Sequence, residues 1–186
     1  LDFFMTGIIH YNNKQYNITP HEWGPIVLFY NFIDTIETVY DKIKIKKILK
    51  YRIRDEDQKV REEMDLLDGE KEKKLLNNIL TGTLTEEMKK MVKLMIEKNN
   101  NLLSYLSPEN WVDSIKDKVF IMHGANDSMV PFTESIHLGK HLKHSTLLIS
   151  FLYEHREIST DRGLCFKLKE FIKLVNFNAE YIRYNL

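Results

Sequence analysis

The stretch from Lys118 to His155 constrains this chain more than any other. It opens on a compact apolar run, Val119-Phe120-Ile121-Met122, which breaks at His123-Gly124 and turns through Ala125-Asn126-Asp127. Val130-Pro131 then leads into a segment with helical periodicity. A second apolar run, Leu147-Leu148-Ile149-Ser150-Phe151-Leu152, delivers Glu154-His155. Short apolar runs bounded by turn residues read as buried strands, and two strands bridged by a helix pair in parallel. Residues 118–123 and 146–152 are therefore expected to lie side by side, joined by a helix over about 132–143. Parallel strands end on one sheet edge, so Asp127 and His155 arrive there together despite their distance in sequence.

Five residues of this stretch, His123, Gly124, Asp127, Val130 and Pro131, fit an HGxxDxxVP pattern, and His155 follows the last strand. In this it resembles the last third of an α/β-hydrolase. The resemblance implies that Asp127 and His155 are the catalytic pair. Asp127 would accept a hydrogen bond from His155 Nδ1, and His155 would relay the proton of a nucleophilic serine. An HG on an early strand of that family builds the oxyanion hole. Here ANDSMVP follows in place of further glycines, which makes His123 structural. Tyr153-Glu154 departs from the family, where a small residue precedes the histidine, and Glu154 is a competing partner for the imidazole.

The family's serine sits on a G-x-S-x-G turn between a strand and a helix. These residues contain no such turn, and the chain ahead of Asp127 is too helical to supply the missing strands. The chain also begins Leu-Asp-Phe-Phe. The expectation is the C-terminal portion of an α/β-hydrolase-like serine hydrolase acting on acyl esters, inert without its nucleophile half. The fold class expected is α/β: a partial parallel sheet, the hydrolase's last strands, with a large helical cap block. A sheet cut there leaves an open edge, so the chain is expected to pair with another copy or with a missing N-terminal part. The alternative is an interaction module that keeps the scaffold without its nucleophile.

Composition narrows the partners. Lys plus Arg balance Asp plus Glu at 27 each, so no net field favours nucleic acid or an anionic membrane. No apolar run reaches the roughly 18 residues of a spanning helix. The single cysteine, Cys165, fits a reducing, cytoplasmic setting and reads as a small packing residue. The partner expected of the whole protein is a small acyl substrate, with no cofactor and no metal.

The rest of the chain divides at 1–24, 25–115 and 116–186. The first segment is an extended entry, with Gly7–Tyr11 and Gln15–Ile18 flanking Asn12-Asn13-Lys14 as hairpin chemistry. The second is a run of helices. Pro25 opens an apolar one, Asp55 caps another, and Thr83 with Glu86 forms a capping box for a third carrying Met88, Met91, Val92 and Met95. In the hydrolase family such a block sits over the active site as a lid. The methionine stripe is core or a greasy groove. The basic run 42–54 is a solvated helix face or a phosphate contact.

The third segment closes with a helix whose face, Leu164, Leu168, Phe171, Ile172 and Val175, is expected to pack back on the sheet. His137, His141 and His144 fall at i, i+4 and i+7, a spacing that can hold zinc. No H-E-x-x-H pattern accompanies them, and Lys140 and Lys143 repel a cation. Two local readings remain beside the catalytic one: Asp127 as an Asx-turn residue, and His155 as a surface loop histidine.

Overall fold

The computed structural model describes residues 2–152 and 163–186. The chain forms two compact units, one of Leu1–Thr6 with Pro20–Tyr105, the other of Gly7–Thr19 with Leu106–Leu186.

Among its described residues, the regular elements of the first unit are all helices. It contains α1 (Asp2–Thr6), α2 (Trp23–Phe32), α3 (Lys42–Ile53), α4 (Asp57–Asp65), α5 (Glu70–Leu80), α6 (Glu86–Lys98) and most of α7 (Asn100–Leu106). Pro25 lies in the first turn of α2, where its missing N–H costs nothing. The apolar segment from Pro25 is not one helix. It breaks after a 3-10 turn at Ile33–Thr35, and Asp41 restarts it by accepting from the N–H of Ile43 and Lys44 at 3.0 and 3.1 Å.

Two caps differ from expectation. Asp55 is left-handed (φ 56°) and ends the turn after α3, while Glu56 takes the N-cap of α4. Thr85, not Thr83, caps α6, accepting from Met88 N at 3.3 Å. In both places several capping residues stand in a row, and the register is chosen by which apolar face must turn inward. That face wins because burying one large side chain is worth about 1.5–3 kcal/mol, against about 1 for a cap.

Phe29, Ile33, Ile48, Leu49, Leu76, Ile79, Met88, Val92 and Met95 form the centre of this unit, each 0–1% exposed. The methionine stripe is therefore core. The basic run is partly neutralised: Lys46 pairs with Asp34, Lys47 with Glu63 at 2.6 Å, and Arg52 with Glu22 and Asp57 at 3.4 and 3.3 Å.

The second unit holds the strands. β1 (Ile8–Tyr11) and β2 (Lys14–Asn17) make an antiparallel hairpin with Ile8 opposite Asn17 and Tyr11 opposite Lys14. Its turn residues Asn12 and Asn13 both have positive φ, 48° and 60°, which asparagine tolerates best after glycine. Tyr11 and Tyr16 set their rings edge-on to Phe132 at 5.6 and 5.3 Å.

β3 (Val119–Gly124) and β4 (Ser145–Ser150) pair in parallel, from Val119 opposite Ser145 to Gly124 opposite Ser150. α8 (Phe132–His141) joins them, as the apolar pattern requires, and α9 (Leu164–Asn185) follows. The fold is α/β with a small parallel sheet.

α9 does not pack as its pattern predicts. Leu164, Leu168, Phe171, Ile172 and Val175 are 47–82% exposed, and Cys165 is exposed as well. Contact with the sheet runs instead through the helix's other flank. Phe120 meets the rings of Phe177, Tyr181 and Tyr184 at 5.8, 5.3 and 5.7 Å, and Glu170 is the buried residue of the helix. Two paired strands present too narrow a face to cover both sides of a 22-residue helix.

Candidate functional site

The loop after β3 is built around one carboxylate. Ala125 N donates to Ser150 O at 2.7 Å, which keeps the ends of β3 and β4 together as the chain leaves the sheet. Asp127 N then bonds Gly124 O at 3.2 Å, closing a tight turn. Asp127 itself is 8% exposed, a burial that a carboxylate accepts only when its oxygens are bonded. Its Oδ1 accepts from Met129 N at 2.7 Å and Val130 N at 3.0 Å, the Asx geometry expected of Asp at such a bend. Its Oδ2 lies 3.8 Å from His123 Nε2.

His123 is also largely buried. Nδ1 stands 2.6 Å from Ser135 Oγ on α8, and Nε2 stands 3.0 Å from the Val130 carbonyl. The sequence reading left His123 as structural and did not single out Ser135. No spacing pattern in the sequence marks the contact between them. Ser150 (3% exposed) and Glu170 (3% exposed) were missed as well. Glu170 accepts from Phe151 N at 3.0 Å and pairs with Lys173, so a buried carboxylate holds the chain just past β4.

His155, the other member of the expected pair, lies outside the described residues, as does Glu154. Of the two, the structure describes Asp127 alone. The three helix histidines separate. The rings of His137 and His141 lie tilted at 51° with centroids 5.4 Å apart, and His141 Nδ1 bonds the His137 carbonyl at 2.9 Å. His144 lies beyond the end of α8, where its carbonyl accepts from Val119 N at 3.0 Å. Among the described residues, no group of three or more His, Cys, Asp or Glu is placed to hold a metal ion.

A cavity of about 250 Å³ opens beside the Asp127 loop, walled by Ser107–Glu109 and Val112 on one side and by Val130, Glu134, Ser135, His137, Leu138 and His141 on the other. Its lining mixes four apolar residues with two carboxylates, two imidazoles and two hydroxyls. No helix among the described residues is long and apolar enough to cross a membrane.

The buried carboxylate thus follows the first strand of a parallel β-α-β unit, and the family is given by sequence comparison. The BD-FAE family model, which describes α/β-hydrolase-like esterases, matches residues 36–142, more than half of the chain and including Asp127, and the chain belongs to that family. No curated protein and no solved structure matches it significantly.

Proposed function

We propose that this chain carries the acid and the histidine of a serine hydrolase that cleaves acyl esters. In this reading a serine from outside these residues attacks the ester carbonyl. His155 takes its proton and returns it to the leaving alcohol. Asp127 orients His155 and stabilises the imidazolium that forms. The observation that carries the reading is the burial of Asp127 at the end of β3, inside the region matched by an esterase family.

The finer parts of the reading belong to the same proposal. The chain is the hydrolase's C-terminal portion, residues 25–115 act as its cap, and residues 116–186 are the end of its core. The exposed face of α9 is covered by the nucleophile half or by a second copy. No cofactor takes part, and the substrate is a small acyl ester.

The test is turnover of a chromogenic short-chain ester by the open reading frame that contains this chain. Asp127→Asn should keep the fold and lower kcat by about 10³–10⁴, because the imidazole then holds the wrong tautomer. His155→Ala should do the same, and unchanged turnover in either variant removes that residue from the mechanism. A second reading, an interaction module without catalysis, is favoured by the lack of any G-x-S-x-G turn in these residues. Failure of a fluorophosphonate probe to label any serine of the whole reading frame would select it.

A further inference from the structure

The mechanism above leaves a nucleophile and a base unused at the end of β3. Ser135 Oγ stands 2.6 Å from His123 Nδ1, and this is the one hydrogen bond its hydroxyl makes among the described residues. A serine within a helix can bond back to the carbonyl four residues earlier. Ser135 is turned instead toward an imidazole on the preceding strand.

A third group fixes where the protons sit. His123 Nε2 lies 3.0 Å from the Val130 carbonyl, which can only accept, so Nε2 carries a hydrogen. In the neutral ring Nδ1 is then the bare nitrogen, and the Ser135 hydroxyl donates to it. Asp127 takes no part, because its Oδ2 is 3.8 Å from Nε2, beyond a hydrogen bond. The order is nucleophile, base and orienting acceptor, with Nδ1 facing the serine and a backbone carbonyl in the orienting place.

The nucleophile also has access to a ligand. Ser135 forms part of the wall of the 250 Å³ cavity, while the base behind it is 11% exposed at its side chain. Pro108, Val112, Val130 and Leu138 give that cavity apolar surface, and Glu109 and Glu134 make it unfavourable for an anion.

We infer that Ser135 and His123 form a nucleophilic site of their own, which takes a small uncharged acyl ester from this cavity. The Ser135 Oγ attacks the carbonyl carbon while His123 Nδ1 takes its proton. The Oγ–C bond forms, the bond from carbon to the leaving oxygen breaks, and Nδ1 returns the proton to that oxygen as the alcohol departs. Water then attacks the acyl-serine and gives a proton to Nδ1. The Oγ–C bond breaks, the proton passes to Oγ, and the carboxylic acid leaves. Nε2 keeps its hydrogen on the Val130 carbonyl throughout, which holds the ring in one orientation.

The test treats the 186-residue chain with a small fluorophosphonate and reads intact mass and a peptide map. One adduct is expected, on Ser135, and Ser135→Ala should abolish it. His123→Gln keeps a polar group for both neighbours but offers no basic nitrogen, so it should slow labelling about 10²-fold or more. Labelling of another residue, or of none, overturns the inference, as does an equal rate in a folded His123→Gln. Should His123→Gln not fold, turnover of p-nitrophenyl acetate decides. Ser135→Ala should lower it about tenfold or more, and equal turnover overturns the inference. The hydrolase reading fails separately, because its serine lies outside these residues. Labelling of the whole reading frame that marks Ser135 alone removes that reading and keeps this one.

Discussion

Local chemistry decides several positions one residue at a time. Tyr40 is held protonated: burial, then the hydrogen bond to Glu87 Oε1 at 2.8 Å, push its phenol up to about 12 from the ordinary 10.0. A raised pKa favours the protonated, folded form. This contribution is complete below pH 10 and is lost as pH rises from there toward about 12. Ultraviolet titration should find one tyrosine ionising late, and Glu87→Gln should bring it earlier. Gly82 has φ +71°, and an added Cβ would meet Glu22 Cα at 2.7 Å. Gly82→Ala should cost about 1–3 kcal/mol in a urea melt, from the left-handed backbone and the clash together. Asp127 was legible from sequence because its type, its turn and its place after an apolar run all agree. His123 and Ser135 were not, because a buried polar network depends on which side chains the fold brings together, and no spacing rule encodes a 2.6 Å contact between a strand end and the next helix.

Among the elements, β3, α8 and β4 were legible almost to the residue. Their apolar runs are short, bounded by Gly, Pro and Asn-Asp turns, and separated by one helical period pattern. The hairpin was legible for the same reason, through Asn12-Asn13. The helix caps slipped by one or two positions where Asp55-Glu56-Asp57 and Thr83-Leu84-Thr85 each present several acceptors, and tertiary packing selects among them. Thr85→Ala should therefore cost about 1 kcal/mol, whereas Thr83→Ala should cost less in the same denaturant melt. The far end of α9 is pinned through Glu180, which accepts from Lys118 Nζ and, at 2.9 Å, from Thr146 Oγ1. Those bonds, Lys118 first and Thr146 second, hold the Glu180 carboxyl below its usual range. A lowered carboxyl pKa gives a contribution that is complete above the ordinary carboxylate range and lost as pH falls through the folded value. Glu180→Gln should remove that acid-side loss and let the last turns of α9 fray, seen as faster amide exchange near Tyr184.

At the scale of the whole molecule, the clearest departure from the sequence reading is the apolar face of α9. Its periodicity was legible, but its covering was not, because a pattern states that a face must be buried and not by what. Leu168 and Phe171, at 59% and 55% exposed, belong to an apolar face of the kind that drives association, so we predict self-association. Light scattering should show mass rising with concentration, and the double change Leu168→Lys, Phe171→Lys should abolish that rise. A concentration-independent monomer in the wild type would contradict this. The central claim, that Asp127 serves His155, is tested most directly by titrating the His155 imidazole by NMR in the wild type and in Asp127→Asn. A carboxylate bonded to Nδ1 favours the imidazolium, so the wild-type midpoint should lie above the ordinary value of about 6.5 and fall by about one unit or more in the variant. A His155 midpoint that is the same in both proteins would contradict the account and leave Asp127 as the residue that shapes its own turn.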